Sequence, residues 1–320
     1  MGSKPIVRPK ALKQGSRIGL VAPAGALLDQ DDVRRATEVC RALGFEPQVS
    51  PNAGQKHGYL AGTDEERLAD LNGAIRDSAV DALWCLRGGY GVTRILHAVD
   101  YEALAQTPKI LIGYSDITAL LNAVTRITGI VTFHGPIARA NLTDFSREHL
   151  ERAVRHPAPA GRLGRVGCPD EVLGTGQGRI VTLQSGTAEG PLAGGNLTLL
   201  QALVGTRYFP DLHGAILFIE DVGEDLYRVD RVLAHLRSVG ALDRLAGVAV
   251  GQFTEMKKAT PDGALGFDEI LETYFGPLGV PVAYGFPIGH VDDQWTLPLG
   301  VRARLDANAG ELDLLEAAVS

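Results

Sequence analysis

The sequence predicts an α/β protein, with an N-terminal doubly wound parallel-sheet domain and a smaller C-terminal α/β domain that has its own sheet. Three observations lead to this prediction. The chain has 320 residues, more than a single hydrophobic core usually holds. In its first half, short apolar runs alternate with segments of helical periodicity, as expected for parallel strands connected by helices. Its 39 glycines suit the many tight turns that such connections need.

Strands and helices are expected to alternate through the N-terminal domain. In chain order they are a strand at 17–22, a helix at 31–43, a strand at 45–49, a helix from 64, a strand at 80–86, a helix at 92–99, a strand at 110–112 and a helix from 117. Gly44 ends the first helix, and Thr63 or Asp64 caps the second. In a sheet of this kind, sites form beyond the carboxyl ends of the strands.

The C-terminal part repeats this pattern less regularly. Its expected elements are a helix that opens within 192–200, a strand at 214–220 that ends in an acid, a helix at 227–236, strands at 245–251 and 280–285, and hairpin strands within 295–315. Between the two parts, Pro- and Gly-punctuated stretches have little periodicity. We therefore expect an N-terminal domain at 1–165, a linker region at 166–185 and a C-terminal domain at 186–320.

Composition excludes several classes of protein. The formal net charge of -7 argues against a nucleic-acid partner, which needs a basic face. Cys40, Cys85 and Cys168 are odd in number and contain no C-x-x-C spacing. They predict neither a disulfide framework nor a zinc site, and they fit a reducing, cytoplasmic compartment. No H-E-x-x-H or similar histidine spacing is present, so we expect no bound metal and no cofactor.

The start of the chain superficially imitates a signal peptide. Basic residues precede an apolar run at 18–28, but Pro23 interrupts that run and acids end it. A first strand of an α/β domain explains it better. No segment approaches the roughly 20 apolar residues that a membrane span requires, so we expect no membrane partner.

Ser115 lies where the strand at 110–112 turns sharply into a helix. A serine there can act as a nucleophile, because backbone N–H groups and the positive end of the helix dipole are close to its oxyanion. The alternative is that Ser115 or Asp116 simply caps the helix. An α/β-hydrolase elbow would need glycine where Ile117 stands.

The turn at 87–91, Arg-Gly-Gly-Tyr-Gly, follows the neighbouring strand. Its glycines allow backbone N–H groups to approach an anion, and the next helix points its N-terminus at the turn. A tight turn selected only for its backbone geometry explains the glycines about equally well. The turn lacks the Lys-Ser/Thr of a P-loop, and Arg94 occupies the third glycine position of a dinucleotide-binding fingerprint.

Glu220 and His290 also follow apolar strand-like runs. Together with Ser115 they occur in the order serine, acid, histidine, although a catalytic triad is defined by geometry and not by order. His134, which also lies in a turn after a strand, is the chief rival of His290. A single histidine is more often structural than catalytic, so spacing alone leaves the choice between them open.

These segments in combination resemble the LD-carboxypeptidase family of serine peptidases. Gly-Tyr-Ser-Asp-Ile-Thr at 113–118 and Trp-Cys-Leu-Arg-Gly-Gly-Tyr-Gly at 84–91 carry the resemblance in the first half. The other matching segments are at 18–25, 192–197, 218–222, 227–231 and 289–290. The similarity thus extends over nearly the whole chain.

The resemblance implies a Ser-His-Glu acyl-enzyme mechanism, with Ser115 as nucleophile, His290 as base and Glu220 as the acid that orients it. The family removes the terminal D-alanine from murein tetrapeptides in cytoplasmic cell-wall recycling. A sibling branch cleaves peptidyl-nucleotide antibiotics of the microcin C type. The family also suggests a homodimer.

Several further roles are expected within this mechanism. The N–H groups of Gly89 and Asp116 would form the oxyanion hole, and the Asp116 side chain would cap its own helix. Arg87 and Tyr90 are candidates for substrate binding, and Arg87 would read the terminal carboxylate. Asn196 either shapes the pocket or is a helix N-cap. The rival function is a non-catalytic module in which two lobes close on a sugar or nucleotide.

Overall fold

The computed structural model of the protein describes residues 4–29, 31–164, 166, 179–256 and 265–320. The strands in these ranges are β1 (Arg17–Val21), β2 (Glu46–Val49), β3 (Ala82–Cys85), β4 (Ile110–Gly113), β5 (Thr132–His134), β6 (Gly161–Arg162), β7 (Val181–Gln184), β8 (Thr187–Asn196), β9 (Ile216–Val222), β10 (Gly247–Thr254), β11 (Val282–Tyr284), β12 (Leu297–Leu299), β13 (Arg302–Asp306) and β14 (Glu311–Leu314). The α-helices are α1 (Asp32–Ala42), α2 (Asp64–Arg76), α3 (Val92–Ile95), α4 (Tyr101–Gln106), α5 (Thr118–Thr128), α6 (Asp144–Arg155), α7 (Leu197–Leu203), α8 (Leu226–Ser238) and α9 (Phe267–Phe275).

The first sheet has the strand order β12-β5-β4-β3-β1-β2. Its strands are parallel except β12, which pairs antiparallel with β5. Ile110, Leu111 and Ile112 of β4 are all buried, because helices cover both faces of a parallel sheet. The predicted α/β class and the doubly wound first domain are confirmed.

The second sheet has the order β6-β14-β13-β8-β9-β10-β11-β7. Its centre, from β8 to β11, is parallel, and antiparallel strands complete both sides. The predicted closing hairpin is present as β13 and β14. Strand β9, which carries Glu220, lies inside this sheet and is almost entirely buried.

The chain passes between the two sheets more than once. Strand β12 comes from the C-terminal part but joins the first sheet, whereas β6, near residue 161, belongs to the second sheet. Most of the predicted linker, 167–178, and with it Cys168, lies outside the described residues. The remaining end of that linker contains β7, an edge strand of the second sheet. The domain limits therefore stay a prediction.

Local predictions fail where tertiary pairing opposes them. Residues 192–196 are the end of strand β8 and not a helix, because each of them pairs with a residue of β9. The helix begins only at Leu197, after Asn196. Strand β9 continues to Val222, so Glu220 lies within the strand and not at its end. Helices α4, α6 and α9 have no counterpart among the elements that the sequence predicts.

Two properties of the described part of the chain bear on function. None of its helices combines the length and the apolar character needed to cross a bilayer. Its His, Cys, Asp and Glu side chains form no group of three or more that could hold a metal ion.

Candidate active site

Ser115 has a backbone conformation that L-residues rarely adopt, with φ at 62°. It follows the end of β4 at Gly113 and opens a single 3₁₀ turn, Ser115–Ile117, that leads into α5. A Cβ on Gly113 would lie 2.8 Å from Cγ2 of Ile117, a side chain that is fully buried. Positive φ at a residue other than glycine is costly and concentrates at functional sites, where the surrounding packing enforces it.

The turn after β3 lies directly against this serine. A Cβ on Gly88 would lie 2.8 Å from Cβ of Ser115 and 3.3 Å from the backbone nitrogen of Asp116. Gly89 has φ at +99°, and within the described residues its backbone N–H donates no hydrogen bond. The turn at 87–91 therefore brings an unused backbone donor close to the Ser115 turn.

Asp116 does not cap its own helix, contrary to expectation. Its buried Oδ2 accepts a hydrogen bond of 2.9 Å from the backbone N–H of Val92, at the start of α3. Burial raises the pKa of the Asp116 carboxyl to about 6, although the Val92 N–H opposes that rise. The side chain thus ties the turn after β4 to the turn after β3, because α3 follows the latter directly.

Glu220 and His290 form a hydrogen-bonded pair. Nδ1 of His290 lies 2.8 Å from Oε2 of Glu220. Gly289 allows this approach, since a Cβ there would lie 2.4 Å from the same carboxylate oxygen. The ring of Tyr114, the residue before Ser115, meets the His290 ring edge to face with centroids 4.8 Å apart. The pair from the second half of the chain therefore lies beside the Ser115 turn.

The electrostatics of this pair favour an ionised acid. Complete burial raises the pKa of the Glu220 carboxyl, but the His134 and His290 side chains outweigh burial and hold that pKa at about 2. An ionised Glu220 can stabilise an imidazolium at His290. Among the described residues, the Ser115 hydroxyl makes no hydrogen bond and is free to turn toward a base or a substrate.

The predicted substrate-binding residues Arg87 and Tyr90 differ in their exposure and in the contacts that they already make. The half-buried Arg87 guanidinium donates to the backbone carbonyl of Ala26, and burial together with the nearby Arg139 lowers the pKa of Arg87. Tyr90 is 47% exposed and meets the exposed Tyr59 ring edge to face at 5.7 Å between centroids. These two tyrosines form an aromatic pair next to the Gly-rich turn.

Asn196 is the N-cap of α7. Its Oδ1 accepts from the backbone N–H of Leu199, and its Nδ2 donates to Asp221. Its own N–H donates to the Thr118 hydroxyl at 3.0 Å. Because both ends of the side chain are engaged, the second of the two expected roles is present, and a direct contact with substrate stays a prediction.

Sequence reasoning missed three residues at this site. Gly88, Tyr114 and Tyr59 carry no chemical signal of their own, and only their neighbours identify them. For Gly88, the available signal was its place between Arg87 and Gly89 in a turn already singled out. Tyr114 is adjacent to the proposed nucleophile.

Comparison with known proteins identifies a family over both parts of the chain. The model of the LD-carboxypeptidase N-terminal domain matches residues 18–135, and that of the C-terminal domain matches residues 189–305. The chain is 36% identical to a probable murein peptide carboxypeptidase of Bacillus subtilis (strain 168), over 98% of this chain and 95% of that protein.

Two solved structures give the same result for the fold. Muramoyltetrapeptide carboxypeptidase from Oxalobacter formigenes has a TM-score of 0.80 at 33% identity, covering 93% of this chain and 98% of that one. The microcin C7 self-immunity protein MccF in complex with aspartyl sulfamoyl adenosine has a TM-score of 0.87 at 26% identity, covering 98% of this chain and 100% of that one.

Proposed function

Since this chain belongs to the LD-carboxypeptidase family, we propose that it is a serine-type peptidase that releases the terminal D-alanine from murein tetrapeptides during cell-wall recycling. The observation that carries this proposal is the hydrogen-bonded pair of Glu220 and His290 beside a serine held at positive φ. A nucleophile, a base and an acid that orients the base are the groups that acyl transfer requires.

Acylation begins with proton transfer from Ser115 to His290. Glu220 occupies Nδ1 of His290, so Nε2 is the nitrogen available to accept that proton. Oγ of Ser115 then attacks the carbonyl carbon of the amide. The N–H groups of Gly89 and Asp116 stabilise the oxyanion, because they point from turns that flank the nucleophile. The ionised Glu220 stabilises the imidazolium.

Collapse of the tetrahedral intermediate breaks the C–N bond. His290 donates its proton to the departing amine, and D-alanine leaves. Water then attacks the ester, with His290 again taking the proton, and a second collapse returns the proton to Ser115 and frees the tripeptide. Asp116 is bound through its carboxylate to α3, which keeps its backbone N–H at a constant position.

A carboxypeptidase must also recognise a free carboxylate. We assign this role to Arg87 and the N–H groups of its turn, with Tyr90 at the exposed side. The carbonyl of Ala26 already holds the guanidinium of Arg87 in place, so its charge is positioned before the substrate arrives. A cytoplasmic location and a homodimer belong to the same proposal, and cell fractionation and sedimentation would test them.

The decisive experiment is mass spectrometry of the products formed from murein tetrapeptide. We expect the wild-type protein to release one alanine and Ser115→Ala to lose at least about a thousandfold in kcat/KM, since loss of a triad nucleophile has effects of this size. Circular dichroism would show that the variant is folded. Near-wild-type turnover by Ser115→Ala would rule out the mechanism.

A second candidate activity is hydrolysis of a peptidyl-nucleotide amide. The likeness to MccF in complex with aspartyl sulfamoyl adenosine favours it. Cleavage of an acyl-sulfamoyl nucleotide, without alanine release from tetrapeptide, would support this activity. Saturable binding without turnover, and without labelling of Ser115 by a fluorophosphonate, would instead support a non-catalytic binding module.

A further inference from the structure

We propose that His134 is a positioning residue for the catalytic acid, whose Nε2–H points at Oε1 of Glu220 and keeps the other oxygen, Oε2, directed at His290. This inference rests on the proposed function, because it deepens the role of the same acid. Glu220 then lies between two histidines, His134 at the end of β5 and His290 in the loop between β11 and β12, and is not the last member of a three-residue chain.

The burial of these groups supports the proposal. His134 and Glu220 are both completely buried, and Nε2 of His134 lies 3.6 Å from Oε1 of Glu220. Within the described residues, Oε1 has no hydrogen-bond partner, and neither has either ring nitrogen of His134. A buried carboxylate oxygen without a donor is costly, and this cost favours a hydrogen bond from His134. A movement of a few tenths of an ångström would bring Nε2 of His134 and Oε1 of Glu220 within hydrogen-bond distance.

The fold places His134 at this point. It is the last residue of β5 and pairs with Gly113, the last residue of β4, just before the Ser115 turn. The His134 ring lies edge to face against Phe218 of β9, with centroids 5.3 Å apart. Phe218 and Glu220 are two residues apart on that strand, so their side chains share one face. His134 therefore faces the acid across the boundary between the sheets.

No proton moves through His134 in the reaction. As a neutral imidazole with its proton on Nε2, it donates to Glu220 throughout the cycle while His290 gains and loses a proton. Without this donor, the carboxylate of Glu220 attracts the Nδ1 proton of His290 more strongly. The imidazolium form of His290 is then more stable, and a higher pH is needed to deprotonate the base. The titratable and charged groups around the acid are, besides these two histidines, Tyr114 and Asp221, and further out Arg139 and Asp292.

The experiment compares pH profiles of kcat/KM for alanine release. Phenylalanine fills the space of the imidazole but has no donor, and glutamine places an amide N–H where Nε2 was. We expect His134→Phe to move the acidic limb to higher pH by about one unit, and to lower kcat/KM about tenfold near neutral pH. We expect His134→Gln to bring both the acidic limb and kcat/KM most of the way back to the wild-type values.

His149→Phe is the matched control. It replaces another buried histidine, which hydrogen-bonds the carbonyl of Phe145 and has no contact with the acid, so its acidic limb should remain that of the wild type. A His134→Phe profile identical to that of the wild type, or a His134→Gln profile as displaced as that of the Phe variant, would overturn the proposal.

A measurement on the unmodified protein keeps the proposal testable if the variants do not fold. Nitrogen-15 NMR of labelled histidine should show His134 as the neutral tautomer protonated on Nε2, and a proton on Nδ1 alone would contradict the assignment. This readout does not depend on the substrate. If wild-type protein releases no alanine while His134 has the expected tautomer, the proposed function fails and the contact with Glu220 stands.

Discussion

At the residue scale, the site depends on properties that individual residues acquire from their surroundings. Ser115 is chemically an ordinary serine, but in its turn, packed against Gly88, its backbone has a positive φ. Glu220 would be expected to be protonated when buried, yet two histidines keep it ionised. Asp116 has no histidine beside it, and burial raises its pKa to about 6 against the weaker effects of the Val92 N–H and Arg67.

Asp116 gives a prediction about stability and pH. Its pKa is higher in the folded than in the unfolded protein, so the folded state binds more protons between about pH 4 and 6. The contribution of this group to stability therefore falls as the pH rises through that window. Asparagine can still accept from Val92 N–H but does not ionise. We expect Asp116→Asn to gain up to about 3 kcal/mol relative to the wild type at pH 7.

Urea unfolding at several pH values would measure this difference. The variant and the wild type should converge at pH 4, where the wild-type carboxyl is protonated in the folded state. A constant difference across the whole range would show that Asp116 does not titrate in this window.

At the element scale, the site is formed where two strand-to-helix turns meet. Strands β3 and β4 are neighbours in a parallel sheet, so their carboxyl ends, and the turns that follow them, lie side by side. Gly88 of the first turn contacts Ser115 of the second, and Asp116 of the second caps the helix after the first. Each turn thereby holds the other in place.

We expect Gly88→Ala to lower kcat/KM by about a hundredfold without removing any group that reacts. The added methyl would lie 2.8 Å from Cβ of Ser115 and would displace the nucleophile, and a displacement of about 1 Å can cost this much. Kinetics with tetrapeptide would measure the loss. Gly54→Ala is the control, because a Cβ there meets nothing within 4 Å; equal kinetics for the two variants would count against the contact.

At the scale of the whole molecule, the site exists only while the two sheets keep a fixed position relative to each other. Glu220 lies on the second sheet, whereas Ser115 follows β4 and His134 ends β5, both in the first sheet. The start of α5 contacts the end of β8, where the N–H of Asn196 donates to the Thr118 hydroxyl. Asn122 of the same helix donates to the carbonyl of Gly194. These bonds join the nucleophile's helix to the second sheet.

Thr118→Val tests this junction. It retains the shape of the side chain but leaves the buried N–H of Asn196 without its acceptor, so we expect a loss of about 1–3 kcal/mol in the free energy of unfolding. Thr118→Ser keeps the hydroxyl and should retain that bond. Denaturant titration of the two variants would compare them, and equal stability of the valine and serine variants would mean that the bond contributes nothing.

The sequence by itself determined the α/β class, the alternation of the first domain, a cap of α2 at Thr63 or Asp64, and the family resemblance. These are confirmed, and the structure assigns the cap to Thr63. These are local or pattern properties: the capping box closes within three residues, and a buried parallel strand reads as a continuous apolar run. The resemblance also singled out Ser115, Glu220 and His290.

Only the tertiary structure decided what surrounds those residues. Residues 192–196 are a strand because β9 pairs with each of them, and Asp116 caps α3 because a neighbouring strand brings α3 to it. The sequence pattern makes His134 a rival of His290, whereas in the structure it faces the acid from the other sheet. These outcomes depend on contacts between residues far apart in the chain, which spacing along the sequence does not encode.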